Sequence, residues 1–282
     1  MSNVIAVVNG KGGSGKTTTA INLAAGLTRY SDVTSSCLLI DMDPVGCATN
    51  TLLGKLDGEP PARSIFDVLR RAITPHDGIT STVYDENIDI LPANPSLESM
   101  AKTQITDRLA KVVQALATSY GWIIIDTPPN LGVLTQNALV AADYVLVPTP
   151  CTGLAVSTLR HVKSLVERVQ ERQNVWLQIL GILITMKDGR TELQKEVLKE
   201  LRGIFGKGDL FRTIITNNIK IEEAPAHFQS IYAYDSGCLG ASLYRDWIKK
   251  EFLKKHAKLE KLRVEKIEQG AASAVTPAAP PA

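Results

Sequence analysis

Short apolar runs recur along the chain and alternate with stretches whose apolar positions follow a helical period. The runs are continuous rather than alternating, which is typical of strands buried on both faces of a parallel sheet. The helical stretches between them would cover those faces. The pattern therefore predicts an α/β fold, a doubly wound, mostly parallel sheet with helices on both faces. The predicted strands are Val4–Val8, Cys37–Asp41, Ile88–Leu91, Trp122–Asp126, Tyr144–Pro148, Ile179–Thr185 and Leu210–Ile215.

The C-terminal part of the pattern predicts a long helix from Leu239 to about Ile267, followed by an Ala/Pro-rich stretch without core-forming side chains. Such a composition cannot offset the entropy of ordering the chain, so we expect disorder there. We predict one domain over residues 1–267 and a tail over 268–282. The other predicted helices are Thr17–Tyr30, Ser64–Ala72, a segment around Ile105–Tyr120, Leu131–Ala141, Gly153–Arg172 and Thr191–Phe205.

Composition narrows the class of protein. The chain has 282 residues, 44% of them hydrophobic, and no apolar run approaches the roughly 20 residues of a membrane span. The N-terminal Met leads almost directly into the first strand, so we expect no signal peptide. The four cysteines show neither C-x-x-C pairs nor the spacing of a metal site, which argues against an iron–sulfur reductase. Together these features predict a cytoplasmic protein.

The segment Gly10 to Thr17 matches the P-loop pattern G-x-x-x-x-G-K-[ST] between a predicted strand and a predicted helix. Glycines let backbone N–H groups converge on phosphate oxygens, and the helix dipole adds positive potential there. Lys16 would reach the β- and γ-phosphates, and the Thr17 hydroxyl would bind Mg²⁺. A glycine-rich turn without a ligand is the alternative. The other predicted nucleotide contacts are Gly12, Gly13, Ser14, Gly15 and Thr18.

Lys11 needs a separate explanation, because an ordinary P-loop requires only Lys16. A solvated, spare lysine is one explanation. However, the order K-G-G-x-G-K-T-T resembles the deviant Walker A motif of the ParA/MinD family of ATPases. In that family the first lysine crosses a dimer interface and touches the nucleotide of the other subunit. The resemblance implies that Lys11 also contacts ATP and links it to homodimer formation, since the γ-phosphate offsets the cost of burying an ammonium.

The predicted strand Cys37–Asp41 ends in two carboxylates, Asp41 and Asp43, followed by Pro44. A parallel strand delivers such residues to the sheet edge where ligands bind. A polar strand end before a turn is the alternative reading. This segment resembles the family's Walker A′ motif, which implies that Asp41 activates the attacking water while Asp43 and Pro44 shape the adjacent switch.

The chain departs from the family after this point. The usual continuation D-P-Q-G-N-A-T is replaced by a segment with Val45 and Cys47 in place of glutamine and asparagine. Both substitutions remove polar groups that help hold water or metal. The rate of hydrolysis therefore stays open, and a nucleotide-binding scaffold without hydrolysis is an alternative. The prediction of ATP binding is not affected.

The run Trp122 to Asp126 resembles a Walker B strand, with four apolar residues before an acid. Such an acid holds Mg²⁺, commonly through a water molecule. The segment Thr216 to His227 resembles the family's P-R-N-x-x-x-x-E-A-P-S-H, where the asparagine, here Asn218, helps to hold adenine. Pro and Arg of that motif are replaced by Thr216 and Asn217. The missing arginine removes one phosphate-binding charge.

Basic residues are concentrated near the C-terminus. Residues 241–267 carry nine Lys/Arg against four Asp/Glu, although the whole chain has a net charge of only +2. Family members of this length bind DNA without sequence preference once ATP has dimerised them, and dimerisation doubles the phosphate contacts. A solvated helix face is the alternative. The candidate DNA contacts are Lys187, Arg190, Arg212, Lys220, Lys249, Lys250, Lys254 and Lys255.

The resemblance extends from Met1 to about Phe252 and identifies the chain as a ParA-type partition ATPase. It implies an ATP–Mg²⁺ sandwich dimer that binds non-specific double-stranded DNA on the nucleoid. A ParB-like centromere-binding or adaptor protein would stimulate hydrolysis and release the dimer. The alternatives are a MinD-like positioning ATPase on a membrane, for which a basic amphipathic helix is the cue, and positioning of a protein cargo such as a chemotaxis array or carboxysome. A small-molecule ligase would also use a P-loop but would not explain Lys11.

Overall fold

The computed structural model describes residues 2–31, 36–55, 60–83, 87–187, 192–206 and 208–274. At residues 187, 192–195 and 269–274 it describes the main chain without the side chains. The strands in these ranges are β1 (Asn3–Val7), β2 (Cys37–Asp41), β3 (Thr80–Ser81), β4 (Ile88–Leu91), β5 (Trp122–Asp126), β6 (Tyr144–Pro150), β7 (Gln178–Lys187) and β8 (Leu210–Thr216).

The described strands form one eight-stranded sheet in the order β3-β4-β2-β5-β1-β6-β7-β8. Neighbouring strands are parallel except β3 and β4, which are antiparallel. The predicted doubly wound, mostly parallel sheet is therefore confirmed. The short edge strand β3 was missed, because two exposed polar residues carry no hydrophobic signal.

Both faces of the sheet are buried, as continuous apolar strands require. Along β1, Val4 and Ala6 pack into a core on one face, whereas Ile5 and Val7 pack into a core on the other. Successive side chains of a strand point to opposite faces, so each apolar residue of the run has a core to fill. The central strands therefore hold their carboxyl ends rigidly at one edge of the sheet.

The described helices are α1 (Lys16–Tyr30), α2 (Cys47–Leu53), α3 (Ile65–Leu69), α4 (Leu97–Ala101), α5 (Arg108–Leu116), α6 (Val133–Ala141), α7 (Ala155–Arg172), α8 (Glu192–Phe205), α9 (Ile219–Ala226), α10 (Ile231–Asp235), α11 (Leu239–Trp247) and α12 (Leu253–Ala274), with a 3-10 turn at His76–Gly78. The predicted helices are all present, although most are shorter. Short helices α2, α4, α9 and α10 were not predicted, since few turns give little periodicity.

The predicted C-terminal helix is interrupted by a π-helical turn at Ile248–Phe252. A π-turn shifts the buried face of a helix, and here it lets neighbouring Trp247 and Ile248 and also Phe252 be fully buried. Helix α12 continues to Ala274, beyond the predicted end near Ile267. Residues 275–282 of the predicted tail lie outside the described residues, so the domain boundary stays a prediction.

Candidate active site

The loop between β1 and α1 forms a cradle at the carboxyl edge of the sheet. Gly13 and Gly15 have φ of 66° and 80°, a left-handed conformation that favours glycine. The Lys16 Nζ donates a hydrogen bond to the carbonyl oxygen of Lys11 at 3.2 Å, which closes the loop. The first turn of α1 follows directly, so its free N–H groups point toward the cradle.

A cavity of about 320 Å³ opens in front of this loop. It is lined by most of the predicted phosphate contacts, namely Gly12, Gly13, Ser14, Gly15, Lys16, Thr17 and Thr18, and also by Asp43. Six further lining residues were not predicted as contacts, namely Ile21, Cys47, Thr51, Pro129, Met186 and Pro225. The structure therefore brings the P-loop and the acidic end of β2 together around a space suited to phosphates.

Lys16 is buried, with 6% of its surface exposed. Burial lowers the pKa of Lys16, while the nearby carboxylates of Asp126 and Asp43 partly offset this effect. A buried ammonium without a full counter-charge favours an anionic ligand. Phosphates of a bound nucleotide would supply that charge.

Asp126 ends the central strand β5 and is completely buried. Neither of its carboxylate oxygens has a hydrogen-bond partner among the described residues. Burial raises the pKa of Asp126 to about 8, and the Asp41 carboxylate adds to the shift, which the neighbouring Thr17 hydroxyl and Lys16 ammonium reduce. A buried carboxylate with so little compensation for its charge, beside the Thr17 hydroxyl, fits a hydrated Mg²⁺ ion.

Thr17 and Asp126, the latter through water, would hold this ion together with the phosphates. No group of three acidic, histidine or cysteine side chains within the described residues is arranged to bind a metal alone, which suits an ion that keeps much of its water. When bound, Mg²⁺ neutralises charge that develops on the β- and γ-phosphates.

Asp41 is also completely buried, and it does not line the cavity that Asp43 reaches. Its Oδ1 accepts a hydrogen bond from the amide of Asp43 at 3.0 Å, and its Oδ2 accepts two from Thr49. Burial raises the pKa of Asp41 to about 6, although the donors from Thr49 and Asp43 oppose the shift. Asp41 therefore fixes the turn after β2 and the start of α2, and its role toward water stays a prediction.

The segment after β2, the predicted switch, is a tight turn built on Asp43. The Asp43 Oδ1 accepts from the amide of Val45 at 3.1 Å, and its carbonyl accepts from the amide of Gly46 at 2.9 Å. Pro44, between Asp43 and Val45, is half-buried. Val45 is 69% exposed, and Cys47 lines the cavity in front of the P-loop. The hydrolysis rate implied by these two substitutions stays a prediction.

A second cavity of about 270 Å³ adjoins the first and shares Gly15, Thr18, Met186 and Pro225 with it. Asn218 lines it, as predicted for a residue near adenine. The Asn218 Oδ1 accepts from the amide of Lys220 at 2.9 Å and caps α9. Thr216 and Asn217, of the same turn as Asn218, also line it. The lining residues Thr185, Ile215, Ile221, Glu222 and Tyr244 were not predicted as contacts because they come from separate segments of the chain.

Lys11 lies at the rim of the cradle and is half-buried. Its backbone amide donates to Asn9 Oδ1 at 3.0 Å, so its main chain is fixed. Its ammonium has no ion pair or hydrogen bond with any described residue. The backbone of Lys11 is thus fixed, whereas its ammonium group makes no such contact.

The described candidate DNA contacts differ in exposure and in the contacts of their side chains. Arg212 and Lys254 are exposed and line a groove of about 530 Å³ with Lys255 and Lys258. Lys255, however, donates to the carbonyl of Gly208 at 2.7 Å and pairs with Asp209 at 3.4 Å. The other described candidates are engaged elsewhere: Lys220 pairs with Glu223, Lys250 with Asp246, and Lys249 lies over the ring of Tyr30.

Two candidates cannot be placed. Arg190 lies outside the described residues, and of Lys187 only the main chain is described, at the end of β7. Every DNA contact therefore stays a prediction. No helix in the described part of the chain is long and apolar enough to cross a membrane.

The chain is similar to known proteins over most of its length. A family model described as the AAA domain matches residues 2–179. The sporulation initiation inhibitor protein Soj of Bacillus subtilis is 38% identical over 255 residues, which cover 88% of this chain and 98% of Soj. The chromosome partitioning protein ParA of Caulobacter vibrioides is 34% identical over 249 residues, 86% of this chain and 90% of ParA.

Among solved structures, cobyrinic acid a,c-diamide synthase from Mycobacterium smegmatis with bound ADP and magnesium is 32% identical, with a TM-score of 0.70 over 89% of this chain and 98% of that one. A Borrelia burgdorferi plasmid partition protein bound to AMPPNP has a TM-score of 0.72 over 92% of this chain and 99% of that one, but at 24% identity it supports the fold alone.

The P-loop, the buried acids and the two joined cavities on a doubly wound sheet define a P-loop ATPase that uses ATP and Mg²⁺. The chain belongs to the ParA/Soj family of chromosome-partitioning ATPases.

Proposed function

We propose that this partition ATPase works as an ATP sandwich dimer that binds DNA and is released by hydrolysis. ATP and Mg²⁺ bind in the joined cavities of each subunit, and Lys11 of the second subunit completes the site. The dimer binds non-specific double-stranded DNA and therefore resides on the nucleoid in the cytoplasm. A ParB-like centromere-binding or adaptor protein stimulates hydrolysis and releases it.

The unengaged ammonium of Lys11 is the observation that supports this proposal best. Lys16 already occupies the cradle and bonds to the Lys11 carbonyl at 3.2 Å, so the cradle has its own cation. A second ammonium at the rim, without a described partner, is suited to a phosphate presented by another subunit. The charge of the γ-phosphate would offset the desolvation of that ammonium only when ATP is present, which makes dimerisation depend on the nucleotide.

DNA binding follows from the dimer. Phosphate contacts made by one subunit are doubled when two subunits bind as a unit, so affinity rises steeply even when each contact is modest. Arg212 and Lys254 are exposed in one basic groove and are the described residues best placed to make such contacts. Release then needs only the separation of the subunits after hydrolysis.

The test measures mass and DNA binding together. Light scattering with a non-hydrolysable ATP analogue and Mg²⁺ should show a dimer, and ADP should show a monomer. Retardation of plasmid DNA should require the ATP analogue. A protein that stays monomeric when saturated with the analogue would refute the sandwich dimer, whatever its DNA affinity.

The same samples separate the alternatives. Co-sedimentation with anionic liposomes in ATP, without plasmid binding, would favour a MinD-like membrane ATPase. Dimerisation without either ligand would favour positioning of a protein cargo. Since one relative in structure carries the name of a diamide synthase, ATP consumption that depends on an added carboxylate and ammonia source would favour a ligase.

A further inference from the structure

Thr49, in the first turn of α2, makes hydrogen bonds to the end of β2 that the sequence motifs did not predict. It is 2% exposed. Its amide donates to Asp41 Oδ2 at 2.9 Å, and its hydroxyl donates to the same oxygen at 2.7 Å. One residue therefore places two donors on one carboxylate oxygen.

The Thr49 hydroxyl also accepts a hydrogen bond. The amide of Ala93, in the segment that follows β4, donates to Thr49 Oγ1 at 2.8 Å. Because a hydroxyl has one proton to donate, this contact forces that proton toward Asp41. Thr49 thus joins three separate segments: the end of β2, the start of α2 and the chain after β4.

The carboxylate of Asp41 also acts as the cap of α2. The N-cap residue, Gly46, has no side chain, and no side-chain cap is formed there. Asp41 instead binds the amide of Thr49, which is one of the free N–H groups of the first turn. The position of α2, which carries Cys47 at the phosphate cavity, is therefore tied to the orientation of Asp41.

We propose that Thr49 is a positioning residue for hydrolysis, acting through Asp41. The two donors hold Oδ2, whereas Oδ1 has a single described donor, the amide of Asp43 at 3.0 Å. A carboxylate oxygen accepts more than one hydrogen bond, so Oδ1 keeps the acceptor site for water. The hydroxyl of Thr49 holds Oδ2 in place and thereby sets which oxygen of Asp41 is left for water. The inference rests on the role of Asp41 within the proposed function.

The test compares Thr49→Val with Thr49→Ser. Valine keeps the shape of threonine but removes one donor to Asp41 and the acceptor for Ala93. We expect single-turnover hydrolysis of radiolabelled ATP to slow by at least about 10-fold, since a correctly oriented base contributes 10²–10⁴-fold, and ATP affinity to stay within about 2-fold because Thr49 touches no predicted phosphate contact. Serine restores the hydroxyl, so the rate should return to within about 3-fold of the wild type.

Controls distinguish this role from a structural one. Thr28→Val removes a hydroxyl that bonds only to Ala25 within α1 and should leave hydrolysis unchanged. If the valine variant folds poorly, Thr49→Cys tests the need for a strong donor, because a thiol is a weak one. We expect Thr49→Cys to hydrolyse ATP as slowly as is expected of Thr49→Val.

Three results would overturn the proposal. Hydrolysis by Thr49→Val within 2-fold of the wild type would show that the hydroxyl is dispensable. Equal rates for the serine and cysteine variants would show that donor strength is irrelevant. Full hydrolysis by Asp41→Ala would remove Asp41 from the reaction, and Thr49 with it. Absence of ATP hydrolysis by the wild-type protein would be a different failure, that of the proposed function itself.

Discussion

Asp41 and Asp126 are direct register partners at the carboxyl ends of the adjacent parallel strands β2 and β5. Both are completely buried, and the amide of Met42 donates to the carbonyl of Asp126 at 3.0 Å, which extends the pairing by one residue. Two carboxyl groups so placed raise each other's cost of ionisation. Asp41 has its donors in Asp43 and Thr49, whereas the Thr17 hydroxyl and the Lys16 ammonium are the groups that favour the ionised form of Asp126.

We expect Asp126→Asn to stabilise the nucleotide-free protein at alkaline pH. The pKa of Asp126 is about 8 in the folded protein and near its ordinary value when unfolded, so the unfolded state ionises first. The stability contributed by this group is full below the unfolded pKa and is lost as pH rises through about 8. Asparagine does not ionise, so thermal melting at pH 8.5 should rise by roughly 2–4 °C for each kcal/mol relieved.

The control for this prediction is the same pair of proteins at pH 4.5, where Asp126 is protonated in the folded protein and the difference between the two melting temperatures should be much smaller. An advantage of Asp126→Asn that is equal at both pH values would contradict the assignment. The variant should also lose the extra stability that Mg²⁺ adds in the presence of ATP, because the carboxylate that holds the ion is gone.

Lys16→Ala should abolish useful ATP binding. The ammonium would make charge-assisted contacts to two phosphates, each worth about 1.5–3 kcal/mol, so affinity should fall by at least about 100-fold. Calorimetric titration with ATP and Mg²⁺ measures this directly. Affinity retained by the variant would show that the cavity in front of the loop is not the phosphate site.

We expect Lys11→Ala to keep ATP binding but to lose ATP-dependent dimerisation. Because Lys11 has no described contact for its ammonium and only its main chain closes the loop, a single subunit should bind ATP with near wild-type affinity. The variant should fail to dimerise in light scattering and therefore fail to hydrolyse. The matched control is Lys111→Ala, which removes an exposed lysine on α5 that pairs with Asp107. Normal ATP-dependent dimerisation of Lys11→Ala would make Lys11 a solvated loop lysine.

The P-loop and the strand ends were predictable because their signals are local. A buried parallel strand reads as a continuous apolar run, and Asp41 and Asp126 each follow such a run directly. The second cavity, beside the P-loop, was predictable only around Asn218. It is closed by residues such as Met186 and Tyr244, which lie far apart in sequence and show no common pattern.

Helix α2 shows why other elements were missed. Its seven residues lie between two glycines in the left-handed conformation, and threonine, asparagine and cysteine are modest helix formers. Its first turn is stabilised by Asp41 on another strand, a contact that no local pattern reveals. Similarly, the π-turn within the C-terminal helix is explained by the packing of Trp247 and Phe252 rather than by local helix propensity.

Lys254→Ala should weaken DNA binding and reduce its salt dependence. A phosphate contact releases about 0.9 counterion on duplex DNA, so the slope of log affinity against log salt should fall by about 2 for a dimer that loses one contact per subunit. Lys255→Ala is the comparison, because its ammonium already binds Gly208 and Asp209 and should leave the slope unchanged. Equal slopes for Lys254→Ala and the wild type would place the DNA interface elsewhere.

Gly26→Ala should destabilise the fold although alanine favours helices. Gly26 lies in α1, and a Cβ atom there would overlap Cδ1 of Ile248 in the π-turn and stand 3.1 Å from the hydroxyl of Tyr232. Alanine gains about 1 kcal/mol in helix propensity, but overpacking a buried site costs about 1–3 kcal/mol. Where the backbone cannot shift, the second effect is the larger one, so urea denaturation should show a net loss of stability.

The double variant Gly26→Ala, Ile248→Val decides whether this contact is the cause. Valine lacks the Cδ1 atom that a Cβ at residue 26 would overlap, so the double variant should be more stable than the sum of the two single changes predicts. A coupling of about 1 kcal/mol in the double-mutant cycle would show that α1 and the π-turn meet at this point. Strict additivity would mean that the glycine is needed for the backbone of α1 itself.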